Sequence, residues 1–375
     1  MKILLIGEYS NVHATLAEGL RQRGHRVTVV SNGDEWKDYP RDIDVSRHEG
    51  PLSGVRLLLR LYFLLPRLRG YDVVQLINPM FFELRAERLF WFYDYLRKHN
   101  KRVVLGAFGM DWYWVHTCTV KKPLRYSDFN FGDQVRTDEA AIRERRDWMG
   151  TTKEQLNKRI AHDCDAIVTG LYEYDVCYRP YFPDKTHFIP FPIKLPETYS
   201  KTRCKASKVA IFIGISRGRS AYKGTDIMLQ AAKDLRAKYA HRMKLNIAEG
   251  VPFEEYQQLM EGSDAILDQL YAYTPSMNPL LAMSKGIICI GGGEPENYEI
   301  IHEDELRPII NVQPTYESVY QELEQLILHP ERIPLLKTQS REYVERHHDY
   351  LKVARRYEQL YLSLLSPSSG SQQHR

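Results

Sequence analysis

The sequence predicts an α/β protein with two doubly wound domains, each built on a parallel sheet. Short apolar runs rich in Val and Ile alternate with helical stretches along most of the chain. This alternation stops over 192–207, where two prolines and three lysines indicate a linker between domains. The 375 residues are enough for two domains that each bury a core.

The composition narrows the class of protein. Hydrophobic residues make up 43% and charged residues 27%, as in soluble globular proteins. A net charge of +4 gives no reason to expect a nucleic-acid partner. The five cysteines include no C-x-x-C pair, which favours free thiols in a reducing compartment and argues against a bound metal. The apolar run before Glu8 is too short for a signal peptide, and no run of about 18 apolar residues occurs. These features predict a cytoplasmic protein.

The chain opens with a predicted β-α-β unit. Apolar strands over 2–6 and 26–31 flank a helix that Ser10 or Asn11 could cap. Such a unit predicts parallel strands, and ligands of parallel sheets bind beyond the carboxyl ends of the strands. The loop Gly7–His13 is therefore a predicted ligand loop.

The remaining elements continue the alternation of strands and helices. The first half is predicted to contain strands over 71–77, 102–108, 165–169 and 187–191, and helices over 54–69, 83–98 and 152–162. From Trp112 to about Gly150 no regular pattern is visible, and such a long aromatic and charged loop is typical of a functional segment. The second half is predicted to contain strands over 208–214, 243–249, 264–270, 286–291 and 307–312. Two helical patterns follow, over 316–347 with a break near Pro330 and over 350–365, and then a disordered tail over 366–375.

The helix over 54–69 carries a basic face. Arg56, Arg60 and Arg67 share one side, opposite several leucines. A basic amphipathic helix can contact an anionic membrane surface. The alternative is an ordinary solvated face above a helix that packs on the core.

The basic loop after the strand 208–214 is the strongest candidate for a binding site. Arg217, Arg219 and Lys223 place three cations within seven residues, before Gly224 and the predicted N-cap Thr225. A helix N-terminus together with guanidinium or ammonium groups favours an anion such as a phosphate. The alternative is a solvated basic loop.

These residues resemble a known family. The segment 214–224, Gly-Ile-Ser-Arg-Gly-Arg-Ser-Ala-Tyr-Lys-Gly, is similar to the G-R-x-x-x-x-K-G segment of glycosyltransferase family 4, which has the GT-B fold. The opening β-α-β unit and the segment 252–286 also resemble this family. The resemblance extends over nearly the whole chain and is most specific from about 208 to 300.

The resemblance implies which substrate each domain would bind. An N-terminal domain, 1–195, would bind the acceptor, and a domain over 196–348 would bind a nucleotide-sugar donor. The last helix, 349–365, would cross back to the first domain. Transfer would take place in the cleft without a metal or cofactor, and the basic residues would neutralise the donor diphosphate. The implied donor-binding residues are Gly214, Arg217, Arg219, Lys223, Gly224 and Glu249.

The chain departs from the family at one point. Family members commonly have two glutamates eight positions apart, and here those positions hold Tyr273 and Leu281. Glu294 and Glu296, after the triple glycine that begins at Gly291, are predicted to replace them, and Pro295 suits the first position of a helix there. The alternative is a plain turn with a solvated acidic helix start.

On the acceptor side, Gly7, Glu8, His13 and Asp111 are the candidates. Asp111 follows a predicted strand at its carboxyl end and could act as a polar or basic group near the acceptor hydroxyl. It could instead be a turn residue or an N-cap. The predicted catalytic residues are thus Asp111, Lys223 and Arg217.

The resulting prediction is a retaining glycosyltransferase that acts on a glycan or lipid-linked acceptor in surface polysaccharide or lipopolysaccharide synthesis. Two alternatives stay open. A related sugar-nucleotide epimerase would use the same donor site, and a non-catalytic sugar-nucleotide-binding relative would explain the missing glutamates.

Overall fold

A computed structural model describes residues 1–197, 208–215, 218 and 220–366. The described residues form two parallel sheets. The strands of the first sheet, in the order β3-β2-β1-β4-β5-β8-β9, are β1 Lys2–Ile6, β2 Arg26–Ser31, β3 Ile43–Asp44, β4 Val73–Leu76, β5 Arg102–Ala107, β8 Ala166–Thr169 and β9 Thr186–Phe188. The strand order reverses between β1 and β4, and a ligand crevice is expected beyond their carboxyl ends.

The second sheet has the order β11-β10-β12-β13-β14. Its strands are β10 Val209–Ile215, β11 Met243–Glu249, β12 Ala265–Leu267, β13 Ile288–Gly291 and β14 Ile310–Asn311. Its strand order reverses between β10 and β12, which places the expected crevice beyond Ile215 and Leu267. The predicted α/β class with two doubly wound parallel sheets is confirmed.

Helices cover both faces of each sheet. Those of the first half are α1 Val12–Gln22, α2 Ser53–Leu64, α3 Ala86–His99, α4 Trp112–His116, α5 Glu139–Trp148, α6 Thr152–Asp163 and α7 Tyr172–Tyr178. Those of the second half are α8 Ser220–Lys223, α9 Thr225–Lys238, α10 Phe253–Met260, α11 Met277–Ser284, α12 Pro295–Ile301, α13 Tyr316–Leu328, α14 Ile333–His347 and α15 Tyr350–Leu365. Within the ranges described, no helix is both long enough and apolar enough to cross a membrane.

The last helix packs on the first. Val353, Ala354 and Tyr357 of α15 are fully buried in the cluster that covers one face of the first sheet. A Cβ on Gly19 of α1 would lie 2.8 Å from the Cβ of Ala354, so the glycine permits this close approach. The Tyr361 hydroxyl donates to Gln75 Oε1 of β4 at 2.7 Å.

The segment predicted as an irregular loop is largely ordered. It contains α4, a π-helical turn over Thr117–Lys121, an antiparallel hairpin and α5. The hairpin strands are β6 Asn130–Phe131 and β7 Gln134–Val135. The prediction of no regular structure here was wrong, because aromatic packing and not periodicity holds this segment. Trp112, Tyr113 and Trp114 are all buried.

Other boundaries also differ from the predictions. The strands predicted over 264–270 and 307–312 are only three and two residues long, and α7 and β3 were missed. The two predicted N-caps do not act as caps. The Asn11 side chain makes no hydrogen bond to α1, and Gly224 occupies the N-cap position of α9, so that Thr225 is the first residue of that helix. Most of the predicted linker, 198–207, and the tail after Ser366 lie outside the described residues.

Candidate functional site

A cavity of about 390 Å³ lies where the order of the first sheet reverses. Gly7 and Glu8 follow β1 there, and Ile77 and Asn78 follow β4. Gly7 has a φ of 84°, and a Cβ on it would lie 2.2 Å from Ile77 Cγ2. The glycine therefore lets the ends of β1 and β4 approach each other beneath the cavity.

Glu8 belongs to the cavity wall and also caps α1. Its carboxylate accepts hydrogen bonds from the backbone amides of Ala14 at 2.8 Å and His13 at 3.2 Å. Burial raises the pKa of Glu8 to about 8, against the opposing effect of these amides. This carboxylate does the capping that the sequence assigned to Ser10 or Asn11.

His13 is fully buried and bonded within the fold. Its Nδ1 lies 2.8 Å from the Gly7 carbonyl oxygen and its Nε2 lies 3.1 Å from Gln75 Nε2. Burial lowers the pKa of His13 to about 4, so the ring is neutral near pH 7. With the bond from Tyr361 to Gln75, a buried chain of polar contacts connects α15 to the Gly7 loop.

Asp111 is the N-cap of α4. Its carboxylate accepts from the Trp114 amide at 2.9 Å and from the Tyr178 hydroxyl at 2.7 Å, and the residue is fully buried. Burial raises the pKa of Asp111 to about 7. The structure thus shows the capping alternative, while an acceptor-side catalytic role for Asp111 remains a prediction. Its neighbour Met110 lines the cavity.

The donor-side candidates lie around the reversal of the second sheet. Gly214 is near the end of β10, and Glu249, the exposed last residue of β11, is in register with Ile215. Gly224 precedes α9 with a φ of 71°, and a Cβ there would lie 2.6 Å from Leu270 Cβ. Arg217 and Arg219 lie outside the described residues.

Lys223 is the last residue of α8 and immediately precedes Gly224. Its carbonyl oxygen accepts from the Leu270 amide at 2.9 Å, which connects the α8–α9 turn to the chain after β12. The Lys223 ammonium interacts electrostatically with two carboxylates, Asp128 from the first half of the chain and Asp268 after β12. The cation predicted to bind a diphosphate is therefore held beside acidic side chains.

Glu294 and Glu296 stand at the start of α12, with Pro295 as its first residue, as predicted. Both contact the Arg125 guanidinium, at 2.6 Å for Glu294 and 2.5 Å for Glu296. Glu294 also accepts from Tyr126, Asn311 and Gln313. Only 4% of Glu294 is exposed, so the alternative of a solvated acidic helix start does not apply to this residue, and its predicted role in donor binding stays a prediction.

We call residues 122–138 the bridging segment, because it joins the first half of the chain to the second. Arg136 donates to the carbonyl oxygens of Ala221 and Tyr222 and lies 4.0 Å above the Tyr271 ring. The Tyr222 hydroxyl donates to Asp128 at 2.6 Å. Sequence reasoning missed these residues, although the dense aromatic and charged composition of 112–150 was a signal for them.

A second contact joins the carboxyl ends of the two sheets. Glu173, which follows β8, accepts from the amides of Tyr273 and Thr274 and from the Thr274 hydroxyl. Tyr273 and Thr274 follow β12, so these bonds connect the segments that follow the carboxyl ends of β8 and β12.

No family model matches the chain, and no curated protein matches it in sequence. Solved structures match it in fold. Sucrose-phosphate synthase from Thermosynechococcus elongatus superposes with a TM-score of 0.64 at 14% identity, over 97% of this chain and 99% of that one. Anabaena HepE in complex with UDP and glucose superposes with a TM-score of 0.59 at 12% identity, over 97% of this chain and 100% of that one. A putative UDP-N-acetylglucosamine 2-epimerase from Listeria monocytogenes superposes with a TM-score of 0.54 at 10% identity, over 96% of this chain and 94% of that one. The chain therefore has the GT-B architecture, with two Rossmann-like domains that face each other across a cleft.

Proposed function

We propose that this protein is a glycosyltransferase that moves a sugar from a nucleotide-sugar donor to a glycan or lipid-linked acceptor. One observation carries the proposal: a cavity lies beyond β1 and β4 in the first sheet, and the Lys223 turn lies beyond β10 and β12 in the second. Each lies where the strand order of its sheet reverses, the position at which doubly wound sheets bind ligands. The fold shared with HepE, a protein solved with UDP and glucose, supports a nucleotide-sugar donor.

The chemistry follows from this placement. An acceptor hydroxyl attacks the anomeric carbon, and the bond from that carbon to the diphosphate oxygen breaks with its electron pair on the diphosphate. Lys223 and the helix N-terminus of α9 stabilise this growing charge. Among the predicted donor residues, Arg217 would add a guanidinium. Asp111 is the proposed group for the acceptor proton, and we propose retention of anomeric configuration.

The finer context is also a proposal. We place the enzyme in the cytoplasm, in surface polysaccharide or lipopolysaccharide assembly, with α2 against the anionic inner face of the membrane. Val55, Leu59 and Phe63 of α2 are 50%, 53% and 83% exposed, next to the exposed Arg56. Apolar side chains beside arginines suit a bilayer with anionic headgroups.

The test is a panel of UDP-, ADP- and GDP-sugars, incubated with and without acceptor extracts. A transferase releases nucleotide only when a usable acceptor is present. An epimerase, whose fold the chain also shares, converts the donor without one. A binding protein retains the donor unchanged, and either of these last results would overturn the proposed function.

A further inference from the structure

Asp268 is a buried carboxylate with an incomplete set of partners. It follows β12 directly, and only 8% of the residue is exposed. Among the described residues, no donor lies within hydrogen-bond distance of its Oδ2 atom. Glu173 and Glu294, two other buried carboxylates near the cleft, have both oxygens bonded. An unbonded buried carboxylate oxygen is costly, and in native proteins such a group often has a functional role.

The position of Asp268 points to the same conclusion independently. It stands beyond the carboxyl end of β12, and β10 and β12 flank the point where the order of the second sheet reverses. The neighbouring strands end in glycine or close to it. Gly291 ends β13, and a Cβ on it would lie 3.4 Å from the Asp268 Cβ. The glycine thus lets the end of β13 pack closely beside Asp268, at the edge where the ligand crevice is expected.

The charges around Asp268 define which ligand group it can take. The Lys223 ammonium attracts the Asp268 carboxylate, and the side chains of Tyr256 and Cys289 are near enough to be affected by its charge. A carboxylate repels phosphate oxygens, whereas it accepts hydrogen bonds from hydroxyl groups. Lys223 suits the diphosphate of a nucleotide sugar, and Asp268 suits a hydroxyl of one of its sugar rings.

We infer that Asp268 binds the donor, and that its Oδ2 accepts a hydrogen bond from a sugar-ring hydroxyl while Lys223 holds the diphosphate. This inference rests on the proposed function and adds a residue to its donor site. It also supplies a carboxylate to a donor site that lacks the two family glutamates, whereas the predicted substitutes Glu294 and Glu296 pair with Arg125 of the bridging segment.

The experiment compares Asp268→Asn with the wild type by calorimetric titration of UDP-glucose, ADP-glucose, UDP and ADP. We expect the variant to bind the nucleotide sugar at least about tenfold more weakly, because a charge-assisted hydrogen bond is lost. If the hydroxyl belongs to the transferred sugar, UDP and ADP bind as before or more tightly, since a negative charge beside Lys223 is gone. If the hydroxyl belongs to the ribose, nucleotide and nucleotide sugar weaken together.

A thermal melt separates this role from a structural one. Asp268→Asn removes a buried charge that has one oxygen without a hydrogen bond, so its melting temperature should be unchanged or raised. Asp264, at the other end of β12, is the matched control, because it accepts from the Ala210 amide at 3.0 Å and contacts Lys337. Asp264→Asn should melt lower and bind donor normally.

The outcomes are distinct. Wild-type affinity for the nucleotide sugar in Asp268→Asn would overturn the inference and leave the proposed function intact. If the wild-type protein binds neither these four probes nor any GDP-sugar of the functional panel, the proposed function fails, and the inference fails with it.

Discussion

Lys223 is the side chain on which the proposed chemistry depends most. A fixed cation at a leaving diphosphate helps the transition state more than the ground state. Lys223→Ala should therefore lower donor turnover at least about tenfold, which corresponds to one hydrogen bond to a charged group. Steady-state kinetics beside a thermal melt measure this.

The matched control is Lys233→Ala, an exposed lysine on α9, which should keep wild-type kinetics. One of the variants Arg217→Ala and Arg219→Ala should lower donor turnover strongly and the other only slightly. The reason is that a single guanidinium is expected to bind the diphosphate together with Lys223. Wild-type kinetics in Lys223→Ala would overturn the assignment of the donor site.

Asp111 gives a prediction about pH. Its pKa is raised to about 7 in the folded protein, above the ordinary value of 3.8. The group therefore contributes most to stability below about pH 4, and this contribution is lost as the pH rises through 7. Asp111→Asn has no carboxyl group that loses its proton, so it should not lose this stability as the pH rises. The melting temperature of the variant minus that of the wild type should therefore be larger at pH 8 than at pH 5. A constant difference across this range would show that Asp111 does not titrate there.

At the scale of elements, the bridging segment connects the first half of the chain to α8 and to the start of α12. Arg125 pairs with Glu294 and Glu296, but about half of its side chain is exposed. Solvent screening then limits the effect of Arg125→Ala to about 1 kcal/mol of unfolding free energy. Denaturant titration measures this. Arg143→Ala on α5 is the control, because its nearest carboxylate oxygen is 3.8 Å away. Equal stability of the two variants would contradict a bridging role.

The exposed face of α2 gives a second prediction at this scale. Leu59→Ser with Phe63→Ser should weaken sedimentation with anionic vesicles, because apolar contact with the bilayer is lost. Changing Arg56 and Arg60 of α2 to Glu, together with Arg67 in the turn after α2, should weaken it as well. High salt should reduce the advantage of the wild type over that triple variant, because it screens surface charge. If all three proteins sediment equally, α2 is not a membrane contact.

At the scale of the whole molecule, α15 makes the first domain depend on the end of the chain. We propose a domain boundary near residue 195, with α15 completing the first domain. A fragment 1–195 lacks Val353, Ala354 and Tyr357, which are buried against the first sheet. It would expose apolar surface of α1 and leave Gln75 without its partner Tyr361. We expect this fragment to aggregate or to melt without cooperativity, as judged by scattering and circular dichroism. A soluble, cooperatively melting fragment would refute the proposal.

Sequence by itself determined the fold class, most strand positions and the long C-terminal helices. These follow from local periodicity and from Gly and Pro, which act over a few residues. The helix predicted over 350–365 and Pro295 at the start of α12 are confirmed for this reason. The structure also brings Gly7 and Glu8 to a cavity, as expected from the end of a parallel strand.

Only the tertiary structure decided which carboxylates are exposed and which are engaged. Glu294 meets Arg125 across 169 positions of the sequence, and Glu173 meets Thr274 across 101. Nothing in the local pattern separates these residues from solvated glutamates. The same holds for Asp268, whose unbonded oxygen depends on which donors from distant segments reach it. Burial and hydrogen bonding are set by neighbours in space, and a single sequence shows only neighbours along the chain.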